Sequence, residues 1–560
     1  MPAAAIQALP LCYLVRSLRR DVPLARPHPQ LERLGWVLLS IWLLSQVWMP
    51  AWFPSQDGPL HVYIASLMRV LESEQTELLG RYFAFNQEIE PNIAAHYLLE
   101  QMLAFLAPQD VEKLLVSLYV ILILGGARYA VWAIEPRASF VGLLFLPFTL
   151  GYFVHKGFYN YCLGTALFLW GLGFWWRHCQ QRRLIPYLLF ALLIGLTTIT
   201  HLFAVMMLAL VIGLARFGRM LIEARPQGLA ALRSFALDGT WTLLAFLPGI
   251  IAALDFFSRY ALTDVGSAPR GRLYLAQQLL TALPLHSFHD QEYLVALPLL
   301  LLVAVLASYR TWLFLRSRQL QTADALLLPL LVLLVLYFSN DLTTRDVPVW
   351  KRMLPFIHFV GLLWLAARPW GARAARSILA IALVTAIGSG LLRFQSYSQI
   401  DQLTGEYLAC AEQVHAGETL LAVHLHRPEY ESRQRLSSID WVDPYRHMSA
   451  RIALMRNAVD LRASIISREC YGYFPIVYRR DHDPYRLLGP FLESVPPPIR
   501  LADYASSGEW IDKVLVWGPA EDSSNNSPAT TQLKDELNSH YELVWSSTRR
   551  SKLELYKRRD

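Results

Sequence analysis

Apolar residues fill the first 395 positions in blocks of about 16–22. That is near the length that spans a hydrocarbon core as a helix, and unlike the short alternating strands of a membrane barrel. The blocks predict spans near 35–52, 113–134, 138–154, 158–176, 184–199, 201–217, 234–256, 293–314, 324–339, 353–367 and 376–393. The stretch 184–217 reads either as one long bent helix or as two short spans divided at Thr200 and His201.

Arginine decides between these. Arg16, Arg19, Arg20, Arg26 and Arg33 precede the first span, and Arg177, Arg182 and Arg183 follow the fourth. Arg216, Arg219, Arg225 and Arg233 follow the sixth, Arg310, Arg316 and Arg318 the eighth, and Arg368, Arg373 and Arg376 the tenth. All fall on one side only if 184–217 counts twice, which gives eleven spans. Lys and Arg collect in cytoplasmic loops, so the N-terminus is predicted to be cytoplasmic. The connections 53–112, 257–292 and 340–352, with the tail beyond 395, then face the opposite side.

From about residue 396 the pattern becomes that of a soluble domain. Thr419–Val423, Lys513–Trp517, Glu542–Trp545 and Lys552–Tyr556 read as strands and Met448–Val459 as a helix. The expected fold is mainly α: a polytopic helical membrane protein of about eleven spans with a C-terminal soluble α/β domain. Its parts are a cytoplasmic segment 1–34, a transmembrane domain 35–395 with an extracytoplasmic first loop 53–112, and an extracytoplasmic α/β domain 396–560.

Composition agrees. The 560 residues are 54% hydrophobic and 17% charged, with mean hydropathy +0.31, which excludes a water-soluble enzyme. The net charge of +7 is scattered between apolar blocks, so no nucleic-acid partner is expected. Five cysteines without a CxxC spacing specify neither a zinc site nor a disulfide framework, although Cys410 and Cys470 share the oxidising side and are candidates to pair. No small-residue cleavage site follows the first apolar block, which predicts an uncleaved signal anchor.

The first loop is acidic, with Glu72, Glu74, Glu77, Glu88, Glu90, Glu100 and Glu112, and its Leu60, Ile64, Leu67, Met68 and Leu71 predict a helix lying on the membrane surface. It opens with Trp52-Phe53-Pro54-Ser55-Gln56-Asp57-Gly58-Pro59-Leu60-His61, which sets an acid at the membrane edge. Asp57 suits a general base or a divalent-metal ligand, and His61 four positions on can share its helix face. Asp before Gly-Pro also suits a helix cap. In the tail, His424 and His426 at strand spacing, with Asp440, Asp443 and His447 after them, offer ligands for a metal, or are surface residues.

An acid just after the first span, a long first loop, many spans and a soluble tail together resemble the GT-C superfamily of membrane glycosyltransferases, in an uncharacterised bacterial branch. The stretch Asp57-Gly58-Pro59-Leu60-His61 is similar to that family's first-loop motif, and the architecture matches over about 35–395. Asp443-Pro444-Tyr445-Arg446-His447 and Gly472-Tyr473-Phe474-Pro475 resemble segments in the tails of such proteins.

The resemblance implies a sugar donor on polyprenyl phosphate, membrane lipid around the site, and a glycan, lipid or protein acceptor in the envelope. It places the chain in a bacterial inner membrane with a periplasmic tail. Asp57 would be catalytic, with Glu88 or Glu90 as a second acid and His96 nearby. The turn His155-Lys156-Gly157-Phe158-Tyr159-Asn160-Tyr161 has no acid, unlike some members, but Lys156, Tyr159 and Asn160 suit phosphate binding; His201 either faces the cavity in the same way or ends a helix. Arg345, Lys351 and Arg352 defy the positive-inside pattern, and Arg352 matches the basic residue that relatives carry at the head of a late span. No cofactor is specified. A transporter or flippase of lipid-linked saccharides, and a surface-polysaccharide polymerase or ligase, remain alternatives.

Overall fold

The computed structural model describes residues 29–73, 76–88, 90–179, 183–227, 229–259, 271–288, 291–317, 320–339, 349–368, 370–425, 442–518, 528–547 and 552–559. Every predicted span coincides with a helical segment. These are Pro29–Trp48, Pro108–Ile134, Pro136–His155, Tyr159–His178, Leu184–Thr200, Leu202–Gln227, Leu229–Arg259, Glu292–Ser317, Thr322–Ser339, Val349–Ala366 and Ala372–Leu408. Eight are long and apolar enough to cross a membrane, and Leu184–Thr200 is a shorter apolar helix. The chain is a multi-pass membrane protein.

The helices divide by what covers them. Leu184–Thr200 and Leu229–Arg259 turn rows of apolar side chains outward, among them Ile185, Leu192, Leu243 and Leu254. Water would penalise such rows, whereas lipid accepts them. Pro136–His155 lies almost wholly inside the bundle. It winds as a 3-10 helix as far as Phe148, with Pro147 removing a backbone donor.

The division at Thr200 is real. His201 is extended (φ −162°, ψ 114°), and the Leu202 N–H donates to Asn92 Oδ1 at 2.8 Å. A first-loop asparagine therefore satisfies a donor that the new helix would otherwise leave open. At the other predicted boundary, Ala372–Leu408 runs through residues 395 and 396 as one helix and delivers the chain directly into the tail.

The tail folds around a five-stranded sheet. Its strands are β2 (Thr419–His424), β3 (Val459–Asp460), β5 (Lys513–Trp517), β6 (Tyr541–Ser546) and β7 (Leu553–Arg558), in the order β3-β2-β5-β7-β6. β3, β2 and β5 are parallel and β7 and β6 add as an antiparallel pair. Every position of β2 and β5 is buried, as expected for central strands.

The tail is joined to the first loop. β1 (Phe83–Phe85) pairs antiparallel with β4 (Ile476–Tyr478), with Ala84 opposite Val477. The amphipathic pattern does form a helix, Gly58–Glu72, but it does not lie open on a membrane surface. Its residues Gly58–Ala65, Leu67 and Met68 are all buried, because Ser449–Arg456 and Ala94–Met102 pack over it. The Tyr63 hydroxyl donates to the Ala458 carbonyl at 2.8 Å and accepts from the Asp460 N–H at 3.2 Å.

Candidate active site

The segment leaving the first span is held by a short backbone ladder. The Gln56 N–H donates to the His155 carbonyl at 2.7 Å and the Asp57 N–H to the Lys156 carbonyl at 3.2 Å. Gly157 has φ +80°, and a Cβ there would come within 2.6 Å of the Gly58 nitrogen, so glycine is needed on both counts. The first-loop acid is thereby pinned against the turn between the third and fourth spans.

Asp57 stands at the head of Gly58–Glu72, but its carboxylate makes no capping bond. It is free for other partners. Gln56 Nε2 donates to Asp57 Oδ1 at 3.0 Å, and His447 Nε2 lies 3.4 Å from the same oxygen. Gln56 Oε1 accepts from Lys156 Nζ at 2.6 Å and from the Asp443 N–H at 3.2 Å. Burial pushes the Asp57 carboxyl up to about 6, against the opposing pull of Arg446, Lys156 and the Gln56 hydrogen bond. A carboxylate so tuned is ionised at neutral pH yet a better proton acceptor than an exposed one.

The tail supplies the rest of this environment. Arg446 Nε donates to Glu493 Oε2 at 2.7 Å. Burial opposes ionisation of Glu493, but Arg446 together with Arg462 and other neighbours outweighs it and holds the carboxyl below its usual range. Burial pulls His447 down to about 3, so a neutral imidazole faces Asp57. Arg451, also from the tail, donates to the Phe53 carbonyl at 2.9 Å and lies 3.7 Å from Glu112 Oε2. Glu112 in turn accepts from the Tyr159 hydroxyl at 2.5 Å and from Ser55 Oγ.

Several residues expected from the sequence converge here. Lys156 reaches Asp57 through Gln56. Lys156 and Lys351 each place an ammonium 5.7 Å from the Tyr152 ring centre, so the late loop does meet the second turn. His61 Nδ1 and His96 Nε2 are 2.9 Å apart. Burial lowers both, His61 to about 4, which leaves a neutral pair beside Tyr159.

Arg352 sits one step away, its guanidinium 5.8 Å from the Phe158 ring and its carbonyl accepting from the Tyr161 hydroxyl at 2.7 Å. His201 packs edge-on against Tyr161. Arg345 lies outside the described residues.

Others are placed differently. Asn160 accepts from the Ala95 N–H at 2.7 Å and donates to the Asn92 carbonyl, which staples the first loop to the fourth span. Glu90 and Glu88 engage Arg259 of the seventh span, Glu90 through Nη1 and Nη2 and Glu88 at 3.7 Å, and not Asp57. Cys410 and Cys470 are not joined in a disulfide. Among the described residues no group of three His, Cys, Asp or Glu is placed to hold a metal. His426 and Asp440 are outside them.

Sequence reasoning passed over Arg446, Glu493, Arg451, Gln56 and Ser55 as site residues, and treated Glu112 as one more loop acid. The signal for part of this set was present, since Asp443–His447 stood out as a segment shared with similar tails.

The architecture has a solved counterpart. The crystal structure of ArnT from Cupriavidus metallidurans in the apo state superposes with a TM-score of 0.53 at 14% identity, over 94% of this chain and 98% of that one. The chain has the ArnT fold. No family model and no curated protein matches the sequence.

Proposed function

We propose that this protein is an inverting glycosyltransferase that moves a sugar from a polyprenyl-phosphate donor to an envelope acceptor at the extracytoplasmic face of a bacterial inner membrane. The observation that carries this reading is the Asp57 carboxylate, largely enclosed and raised to about 6, one residue from a Gln56–Lys156 contact that leads to Lys351. The ArnT-like fold supports a lipid-linked donor. The wholly different reading, transport of a lipid-linked saccharide, has no such support from this arrangement.

In the proposed step Asp57 takes the proton of the acceptor hydroxyl or amine. The freed electron pair attacks the anomeric carbon, and the bond from that carbon to the phosphate oxygen breaks. The electrons and negative charge leave with polyprenyl phosphate, toward Lys156, Lys351 and Arg352. Phosphate is a good leaving group, so no general acid is required. His447 and Gln56 orient the Asp57 carboxylate, and Arg446 with Glu493 holds the tail segment that carries His447.

The deciding experiment is transfer from a polyprenyl-phosphate sugar in proteoliposomes. Asp57→Asn should abolish product while donor binding persists; undiminished turnover would remove Asp57 from the mechanism. Movement of labelled donor across the bilayer with no new glycosidic bond would favour transport.

A further inference from the structure

The first helix begins at Pro29 and ends at Trp48, just before the Asp57 segment. At its opposite end, about 22 Å away by helical rise from Arg33 to Trp48, the first three spans enclose a cleft of about 640 Å³. Its walls carry three arginines, Arg33, Arg128 and Arg137, against one acid, Glu32. Among the described residues none of the three arginines is ion-paired with a carboxylate.

The remaining wall is aromatic. Tyr129 and Trp132 stack on each other, and the Arg177 guanidinium lies 3.9 Å from the Trp132 ring centre. Arg128 is also held 5.9 Å from the Trp36 ring. Aromatic side chains at the ends of spans mark the depth of lipid headgroups. Arginine forks match phosphate oxygens two at a time, and basic pockets between spans accept anionic headgroups.

We propose that this cleft binds the phosphate of an anionic phospholipid, with Arg33, Arg128 and Arg137 around the phosphate and Tyr129 and Trp132 against the glycerol and upper acyl chains. The site is separate from Asp57 and does not depend on the proposed transfer reaction. Scattered positive charge would attract anionic lipid weakly and everywhere. A cleft with a shape and three guanidinium groups selects one lipid at one place.

The test is native mass spectrometry of the full-length protein in mild detergent, titrated with phosphatidylglycerol or phosphatidylcholine. Wild type should retain one phosphatidylglycerol with at least tenfold preference over phosphatidylcholine. The Arg33→Ala/Arg128→Ala/Arg137→Ala variant should lose that preference. Arg316→Ala/Arg373→Ala/Arg376→Ala removes equal charge from other connections assigned to the same side and should keep it.

Equal loss in both triple variants, or no preference in wild type, overturns the proposal. Competition by inorganic phosphate at millimolar concentration is expected to be weak, and displacement as effective as by the lipid would reassign the cleft to free phosphate. Should the triple variant fail to fold, Arg128→Gln alone should reduce the preference at least threefold, and an unchanged value again overturns the proposal.

Discussion

Asp57 and Glu90 are carboxylates of the same loop, both largely enclosed, and they are treated in opposite ways. Glu90 is gripped by both terminal nitrogens of Arg259, which also takes Asp255 at 2.7 Å. Its charge is matched, and it ties the loop to the seventh span. Among the described residues Asp57 has an amide and a neutral imidazole in direct contact, with its cations held one residue away. A matched carboxylate is scaffold; one kept short of partners retains the capacity to take a proton.

The largest effect that separates them is on turnover. Asp57→Asn should lower transfer by at least about 1,000-fold, on the scale of losing an essential base. It should not weaken the fold. The Asp57 pKa is about 6 when folded against 3.8 for the free side chain, so the folded state binds its proton more tightly. The destabilisation from burying the ionised form is absent below about pH 4, grows between 4 and 6, and reaches on the order of 3 kcal/mol above 6. The Asn variant should therefore show a higher Tm than wild type at pH 7 and an equal one near pH 4, measured by thermal unfolding. A lower Tm at pH 7 would mean that Asp57 is matched after all.

Next comes Arg446→Ala. Arg446 lowers the Asp57 pKa, so its removal should move the acid limb of the kcat/KM profile upward from about 6 and cut turnover at pH 7 by roughly tenfold. An acid limb that stays in place would separate Arg446 from Asp57. Lys156→Ala should raise the KM for donor about tenfold with a smaller change in kcat, the pattern of a lost phosphate contact. The smallest effect on turnover should come from Glu90→Gln, within about twofold of wild type, with roughly 1 kcal/mol of stability lost as the half-buried Arg259 gives up one charged partner. A large loss of turnover in Glu90→Gln would erase the contrast.

What the sequence makes legible follows the range of the forces involved. Spans are written in local hydropathy, and even the interruption at Thr200–His201 could be placed by counting arginines. Strands such as Lys513–Trp517 appear in their own apolar runs. The membrane-surface helix was recognisable as a helix, but its cover was not, because Ser449–Arg456 comes from nearly 400 residues later. The same separation hid the neighbours of Asp57. Arg446 and His447 stand out only through the Asp443–His447 segment, with nothing to tie it to Asp57; Glu493 carries no local mark of a site, and Glu112 looks like any helix-end acid until Ser55 and Tyr159 are seen beside it. Glu88 and Glu90 looked eligible because composition gives no hint of Arg259.

The pairing of β1 with β4, and of Tyr63 with Ala458 across 395 positions, sets a timetable for the molecule. Translation at about 5–20 residues per second needs roughly 20–80 s to cover that interval. Throughout it β1 waits with an unpaired strand edge and Asp57 lacks His447. Under the proposed mechanism a nascent chain is therefore silent, and Asp57 meets the residues that orient it only when the tail arrives.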